Sequence, residues 1–594
     1  MLLTMQGPQA GTIIFVHLDT RKIEQIRPPS GLQQKYLGGR GVGVHLVSEQ
    51  VDPQIDACDP ANILIFSAGL FTGTGLPFGA RYDLVTKSPL TGTLSSSNSG
   101  GVFGSALKRT GIDALVLGGA SPEPVYLWIT GGGAEICDAN DYWGMTTREC
   151  NRALLRDRQE PEVKVACIGP AGEHLCRFAS VMNDASRAAG RGGAGAVMGA
   201  KKVKAVVVRS EKRRERISPG MRGALEIAKT SIEESGIARG SLHRYGTSSM
   251  VNLVNEAHLL PVRNFQESHA PSAENFSGEE IEQSILTGRI TCYACPVACG
   301  RLTAIEGHQG EGPEFETIWA FGPDCGIDNL STITTANYLC NDLGLDTISA
   351  GATIACAMEM TEKGHIREGP RFGDEDHILA LIEDIGYRRG MGDELAEGSF
   401  RFASRHGHPE ISMSVKMMEI PAYDPRGMQG QGLEYATSVR GACHVYGNIR
   451  YPELLGIPFR LDPQSNESKA YWVKHFQDLS AVIDSLGICI FTLRIFSPAD
   501  YAAITSHITG YPWGEEELLC VGERIWNVQK LFNLKVGFSR GADTLPPRLT
   551  REDYGWKKEP ILSEYYALRG WDGEGVPASS TLERLEIHKR VKVC

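Results

Sequence analysis

The pattern of apolar and polar positions changes character twice along the chain. Up to about residue 212, short apolar runs recur between turn residues: Gly11–Leu18, Ile63–Phe66, Ala114–Leu117, Val125–Ile129 and Lys204–Val208. Their length and their β-branched, aliphatic or aromatic content predict strands. The mostly basic run Lys212–Arg216, followed by Ser218-Pro219-Gly220, predicts a domain boundary. Beyond it, apolar residues take helical spacing in Gly223–Ser235 and Leu330–Leu343, and further helices are predicted at Ser349–Lys363, His377–Gly390 and Gly392–His406. From Pro421 a glycine-rich passage, Asp424–Gly447, precedes helices at Ala470–Leu486 and Glu515–Phe532, and the tail from Arg551 reads as polar and turn-rich. The expectation is an α+β chain with an amino-terminal β-sheet domain (1–212) and two mainly α-helical domains (213–420 and 421–594). Its 594 residues exceed what one hydrophobic core organises.

The overall charge of -11 argues against a nucleic-acid surface, which would be basic. No uninterrupted apolar run reaches the roughly 18 residues that a membrane helix needs, so no membrane span is expected. The start, Met1–Phe15, lacks the basic and apolar regions of a secretory signal. The fifteen cysteines are an odd number, and most stand alone in apolar runs, as Cys167 and Cys356 do. That distribution belongs to a reducing compartment, and the cytoplasm is the expected location.

The sharpest local signal is Cys292-Tyr-Ala-Cys295-Pro-Val-Ala-Cys299-Gly. Three thiolates at this spacing can wrap one iron–sulfur cluster, because a short loop lets each sulfur reach a different iron. A radical-SAM loop has the reverse spacing. A zinc site with His308, or three structural cysteines, remain as alternatives, and the local sequence supplies no fourth cluster ligand.

Other motifs stand around that loop. Upstream are Gly38-Gly-Arg-Gly41, the run Arg81–Gly92, Asn98-Ser-Gly-Gly101 and Arg187-Ala-Ala-Gly-Arg-Gly-Gly-Ala-Gly195. Downstream are Gly312-Pro-Glu-Phe-Glu316, Asn341-Asp-Leu-Gly-Leu345-Asp346 and Asp484-Ser-Leu-Gly487-Ile488-Cys489. In this order, over essentially the whole chain, they resemble the aldehyde:ferredoxin oxidoreductase family. The resemblance implies that the β-sheet domain is a base for the cofactor, tungsten (or molybdenum) held by two molybdopterin dithiolenes, with the helical domains closing over it. It also implies one [4Fe-4S] cluster on Cys292, Cys295 and Cys299, with Cys489 as fourth ligand.

The same resemblance assigns pterin-phosphate contacts to Arg81 and Arg187 in glycine-rich surroundings (Ser99, Gly100, Gly190). Asn98 and the Ala188 carbonyl are implied to hold a magnesium ion bridging the phosphates. Asp484, Gly487 and Ile488 match one pterin clamp of the family; Asn341, Leu345 and Asp346 match the other, with Asn where Asp is usual. Glu316 and His444 match the catalytic positions, where a carboxylate deprotonates water and a histidine holds the carbonyl oxygen. Read without the family, Glu316 and its neighbour Glu314 are solvated acids and His444 is a buried histidine.

The activity implied is aldehyde oxidation to carboxylic acid, with electrons passing to ferredoxin or a ferredoxin-like subunit. Gly38–Gly43 lacks the glycine spacing of a dinucleotide fold. One alternative is a low-potential reductase similar to the tungsten subunit of class II benzoyl-CoA reductases, with Cys325 as a candidate metal ligand. Another is a non-catalytic electron-transfer subunit. Where some dimeric members bind a bridging iron through Glu-x-x-His, this chain reads Thr335-Ala-Asn-Tyr338. That iron is not expected, and a homo- or hetero-oligomeric state is not carried over. Trp319, Phe321 and Tyr423 are candidate pocket aromatics.

Overall fold

The computed structural model describes residues 11–160, 162–210, 218–551 and 555–587; the Lys212–Arg216 run and the boundary expected at 212 lie outside them. The amino-terminal part holds two six-stranded mixed sheets. The first is built from β1 (Thr12–His17), β2 (Lys22–Ile26), β3 (Leu64–Ala68), β4 (Tyr82–Lys87), β5 (Leu94–Ser99) and β6 (Ile112–Gly118), in the order β2-β1-β6-β3-β4-β5. The second comprises β7 (Val125–Thr130), β8 (Gly133–Asp138), β9 (Val163–Cys167), β10 (Val181–Asn183), β11 (Arg187–Ala189) and β12 (Val203–Arg209), ordered β11-β10-β9-β12-β7-β8.

The sheets pack face to face, and side chains alternate accordingly. Ile14 and Val16 of β1 and Leu115 and Leu117 of β6 meet Leu127, Ile129, Val206 and Val208 of the second sheet. Ile13, Ala114 and Val116 point the other way, into the core shared with the helices. Burial on both faces is why β1 and β6 are unbroken apolar runs. Beyond the second sheet, Tyr126 and Trp128 pack on Cys150 and Leu154, both carried by the helix Thr147–Arg158.

The helices of the carboxy-terminal part close over the other face of the first sheet. The helix Gly39–Gln50 lies between β4 and the helices Lys469–Leu486 and Glu515–Val536. Glycine in Gly38–Gly43 therefore serves close packing: a Cβ on Gly43 would stand 2.4 Å from Val85 Cγ2. The tightest part of the seam is Gly69, where a Cβ would stand 2.2 Å from the Gly487 backbone. The Leu70 and Phe71 amides donate to the Ser485 and Leu486 carbonyls at 3.2 and 2.7 Å, and Arg81 N donates to Gly487 O at 3.0 Å. Gly69→Ala is expected to lower stability by about 1–3 kcal/mol or more, because rigid backbone on both sides must move. A thermal scan of the holoenzyme checks this, and an unchanged midpoint would contradict the packing described.

Two segments differ from the pattern reading. The helix expected over Gly392–His406 is broken into Met391–Leu395, capped by Ala396, and Ser399–Arg405, which starts after Gly398 with its φ of 89°. The tail contains the helices Ile561–Arg569 and Ser579–Arg584. Leu562, Tyr565, Tyr566 and Arg569 give the first of these a buried face at helical spacing. Among the described residues no helix is long and apolar enough to cross a membrane.

Candidate active site

Two cavities of about 340 and 290 Å³ meet between the sheets and the helices, sharing Arg81, Ala188, Gly190, Thr247, Glu314 and Glu316 among their linings. Their floor is the edge of both sheets: Ser97 and Asn98 of β5 line the larger lobe, Ser99 and Gly100 the smaller, and Ala188 of β11 faces both. β5 and β11 are each the last strand of their sheet. Edge strands leave backbone N–H and C=O groups free for a ligand. Tight turns let other parts approach: a Cβ on Gly100 would stand 2.9 Å from Cys292 Sγ and 3.3 Å from Arg81 Cζ.

Each lobe receives the end of one helix. Leu330–Leu343 ends at Gly344 (φ 75°), and Lys469–Leu486 ends at Gly487 (φ 77°). The two related motifs are thus the same left-handed glycine cap. Asn341, Leu345 and Asp346 line the smaller lobe, and Asp484 lines the larger. Gly487 and Ile488 line neither; they pack into the seam with the amino-terminal base. Arg191 Nε lies 3.4 Å from Asp346 Oδ2, and its other nitrogens donate to the Ala442 and Glu419 carbonyls at 2.8 and 2.6 Å. Asp484 faces Arg40 Nη1 at 3.4 Å. Burial raises the Asp484 pKa, opposed by Arg40, Arg440 and Arg81.

The cysteine loop joins two strands of a small sheet, β13 (Leu286–Ile290) and β14 (Gly300–Ile305). It docks on the base through Tyr293 N, which donates to Gly101 O at 3.0 Å, while Gly101 N donates to Cys292 Sγ at 3.2 Å. Arg81 ties the loop's neighbourhood to the cavity: Nη2 donates to Cys489 Sγ and Nη1 to Asn98 Oδ1, both at 3.3 Å. Burial opposes the Arg81 charge, yet Cys489, Cys292 and Cys299 outweigh it and raise its pKa. Arg187, 2.6 Å from Glu311 Oε1, is raised in the same manner by Glu311, Cys292 and Cys299. Burial, then Cys489 and Cys292, push Cys295 up; burial, Glu314 and Cys489 do so for Cys299. Three cysteines of one loop and Cys489, distant in sequence, therefore share one electrostatic neighbourhood. No three His, Cys, Asp or Glu side chains among the described residues converge on a single-ion site.

Glu316 and His444 stand together in the larger lobe, with His444 Nε2 3.4 Å from Glu316 Oε1. Glu316 Oε2 accepts from Ala422 N at 3.0 Å. Burial pushes the Glu316 pKa up to about 7, opposed by that amide and by Arg450 and Arg191. Burial, then Arg450, Arg191 and Arg440, hold His444 well below its usual range, so its imidazole is neutral at pH 7.

Family models match nearly the whole chain: the aldehyde ferredoxin oxidoreductase N-terminal domain over residues 13–210, and domains 2 and 3 of the same family over 224–587. The tungsten-containing aldehyde ferredoxin oxidoreductase of Pyrococcus furiosus is 43% identical, covering 97% of this chain and 98% of that protein. The chain belongs to the aldehyde ferredoxin oxidoreductase family. The Thermococcus kodakarensis protein of the same description is 42% identical with the same coverage. A WOR-like subunit of an aliphatic sulfonate oxidoreductase from Pyrococcus furiosus is 26% identical over 97% of both chains. The active-site complex BamBC of benzoyl coenzyme A reductase, solved with 1,5-dienoyl-CoA, matches with a TM-score of 0.86 at 24% identity, covering 98% of each chain, a likeness of fold.

Within this family member, four cavity arginines carry no role in the sequence analysis: Arg191, Arg440, Arg450 and Arg494. Arg191 lies inside the Arg187–Gly195 motif, and Arg440 stands four residues before His444, so the signal was present. Of the candidate aromatics only Tyr423 lines the cavity. Trp319 and Phe321 are core, with Trp319 Nε1 donating to Pro261 O at 2.9 Å. Cys325 is buried outside both lobes, its thiol facing the Ala320 and Gly351 carbonyls. Asn337 and Tyr338 bond to Glu311 O and Thr303, and Asn337 lines the smaller lobe.

Proposed function

We propose that this enzyme oxidises aldehydes to carboxylic acids at a tungsten (or molybdenum) bis-molybdopterin centre in the double cavity. Electrons then leave through a [4Fe-4S] cluster on Cys292, Cys295, Cys299 and Cys489 to ferredoxin or a ferredoxin-like subunit. The observation that carries this reading is the paired build of the cavity: two lobes, each capped by the same helix-end motif, meet at Glu316. The donor set fits a doubly phosphorylated, nitrogen-rich ligand. Arg440 Nε and His444 Nδ1 are buried in this wall without a hydrogen-bond partner among the described residues. Arg81, Arg187, Arg191 and Arg440 offer cations, and β5 and β11 offer edge backbone groups. Asn98 and the Ala188 carbonyl, both on the larger lobe, would hold a magnesium ion.

When bound, the metallopterin would supply the two-electron acceptor. The rest falls to side chains. An aldehyde and a water give a carboxylate, three protons and two electrons, so a base must stand beside the reacting carbon. Glu316, with a pKa near that of neutral solution, can take a proton from the water and release it again. His444 is neutral and within reach of Glu316, so it can hold the carbonyl oxygen and pass protons onward. Arg81, touching both Asn98 and Cys489, links the cavity to the cluster cysteines. The place of Cys325, outside the cavity, favours aldehyde oxidation over the reductase alternative. The test is anaerobic viologen reduction driven by an aldehyde, with the acid quantified. One carboxylate for each pair of one-electron dye molecules is expected; no aldehyde-dependent reduction by metal-loaded enzyme would refute the proposal.

A further inference from the structure

Oxidation of an aldehyde creates a negative charge where there was none, inside a wall that includes Leu242, Met250, Phe315 and Phe491. A buried carboxylate is strongly disfavoured unless a cation meets it. Three of the six cavity arginines already have a partner of this kind: Arg191 has Asp346, Arg187 has Glu311, and Arg81 faces the cluster cysteines. Among the described residues Arg440, Arg450 and Arg494 form no ion pair with a carboxylate, and of these Arg450 stands beside the reacting pair, bonded to the His444 backbone. It is 3% exposed. Its Nη1 donates to the His444 carbonyl, and Nη2 lies 3.5 Å from the Tyr451 hydroxyl. Its Nε has no hydrogen-bond partner among the described residues. The charge is met by aromatic faces, 5.1 Å from the Tyr423 ring centroid and 4.7 Å from that of Tyr451. Tyr423 in turn lies 5.9 Å, centroid to centroid, from the His444 ring. The cation therefore belongs to the wall that carries the reacting residues.

We infer that Arg450 is the carboxylate subsite of the reaction chamber, receiving the acid as it forms and any aldehyde substrate's own acidic group. The inference rests on the aldehyde-oxidising reading. Aromatic faces and a backbone carbonyl stabilise a guanidinium without neutralising it, so the site stays open to an anion. The nearest acidic groups, Glu434 and Glu316, do not neutralise it permanently, since burial raises both to about 7. A purely structural Arg450, pinning the His444 loop through its carbonyl, would not distinguish a charged ligand from a neutral one of the same shape.

Benzoate and benzamide form such a pair, and their aromatic body suits the apolar wall. Binding is measured by anaerobic titration calorimetry on metal-loaded enzyme. Wild type is expected to prefer benzoate by about ten- to a hundred-fold, the range of one charge-assisted contact. Arg450→Gln is expected to bring the ratio close to one, and Arg450→Lys to retain part of it. An unchanged ratio in a loaded glutamine variant would overturn the inference. If that variant does not load metal, the lysine variant decides: a retained preference supports the subsite, and its loss at full metal content overturns it. Wild type that oxidises no aldehyde defeats the proposed function; wild type that turns over aldehydes yet binds both ligands equally defeats only the subsite.

Discussion

Glu316→Gln is expected to lower kcat for aldehyde oxidation by about 10²–10⁴-fold, the usual contribution of a positioned base, with metal content unchanged. The amide is nearly isosteric and can still face His444 and the Ala422 amide, so packing in the lobe survives while the proton acceptor is lost. The pH dependence follows from the direction of the shift. Burial raises Glu316 from 4.5 to about 7. Its carboxylate, the basic form, is therefore populated only as the pH rises through that value. In wild type kcat/KM should climb to a plateau above pH 7, and that limb should vanish in the variant. His444 adds no second limb in this range, because its pKa lies well below 6.5 and its imidazole stays neutral. A variant with near wild-type kcat would remove Glu316 from the chemistry.

Cys489→Ser is expected to abolish ferredoxin and viologen reduction and to lower iron from about four toward about three per chain, the loss of one cluster corner. Tungsten or molybdenum should stay bound, since Cys489 lines neither lobe of the cavity. The serine also deprives Arg81 Nη2 of its sulfur acceptor, 3.3 Å away. Cluster loss is read from the iron content and the visible absorption of the purified protein. A variant with full iron and full dye reduction would show that Cys489 is not the fourth ligand. Cys340, buried elsewhere, serves as the control: Cys340→Ser should leave the iron content unchanged.

The elements most legible in the sequence are those whose burial is simple. β1 and β6 are apolar on both faces, and the helix Lys469–Leu486 carries a long buried side. β5, Leu-Ser-Ser-Ser-Asn-Ser, was not legible as a strand because it has almost no apolar content. Its residues are nevertheless mostly buried, with Ser97, Asn98 and Ser99 at the cavity floor under the helices. The two clamps could be recognised as related motifs, but their shared form, a helix end capped by left-handed glycine and aimed into a lobe, is a tertiary fact. Arg450 was invisible for the same reason: in Asn448-Ile-Arg-Tyr451 nothing marks it as buried, and only the fold places it beside His444.

The proposed activity requires a metallopterin in the double cavity and a four-iron cluster on the four cysteines. Both are read from the W, Mo and Fe content of the chain, purified anaerobically from a pterin-competent host and measured by plasma mass spectrometry. About one W or Mo and about four Fe per chain are predicted. Iron without W or Mo, from a host shown to load a known tungstopterin enzyme, would contradict the account and leave an electron-transfer protein.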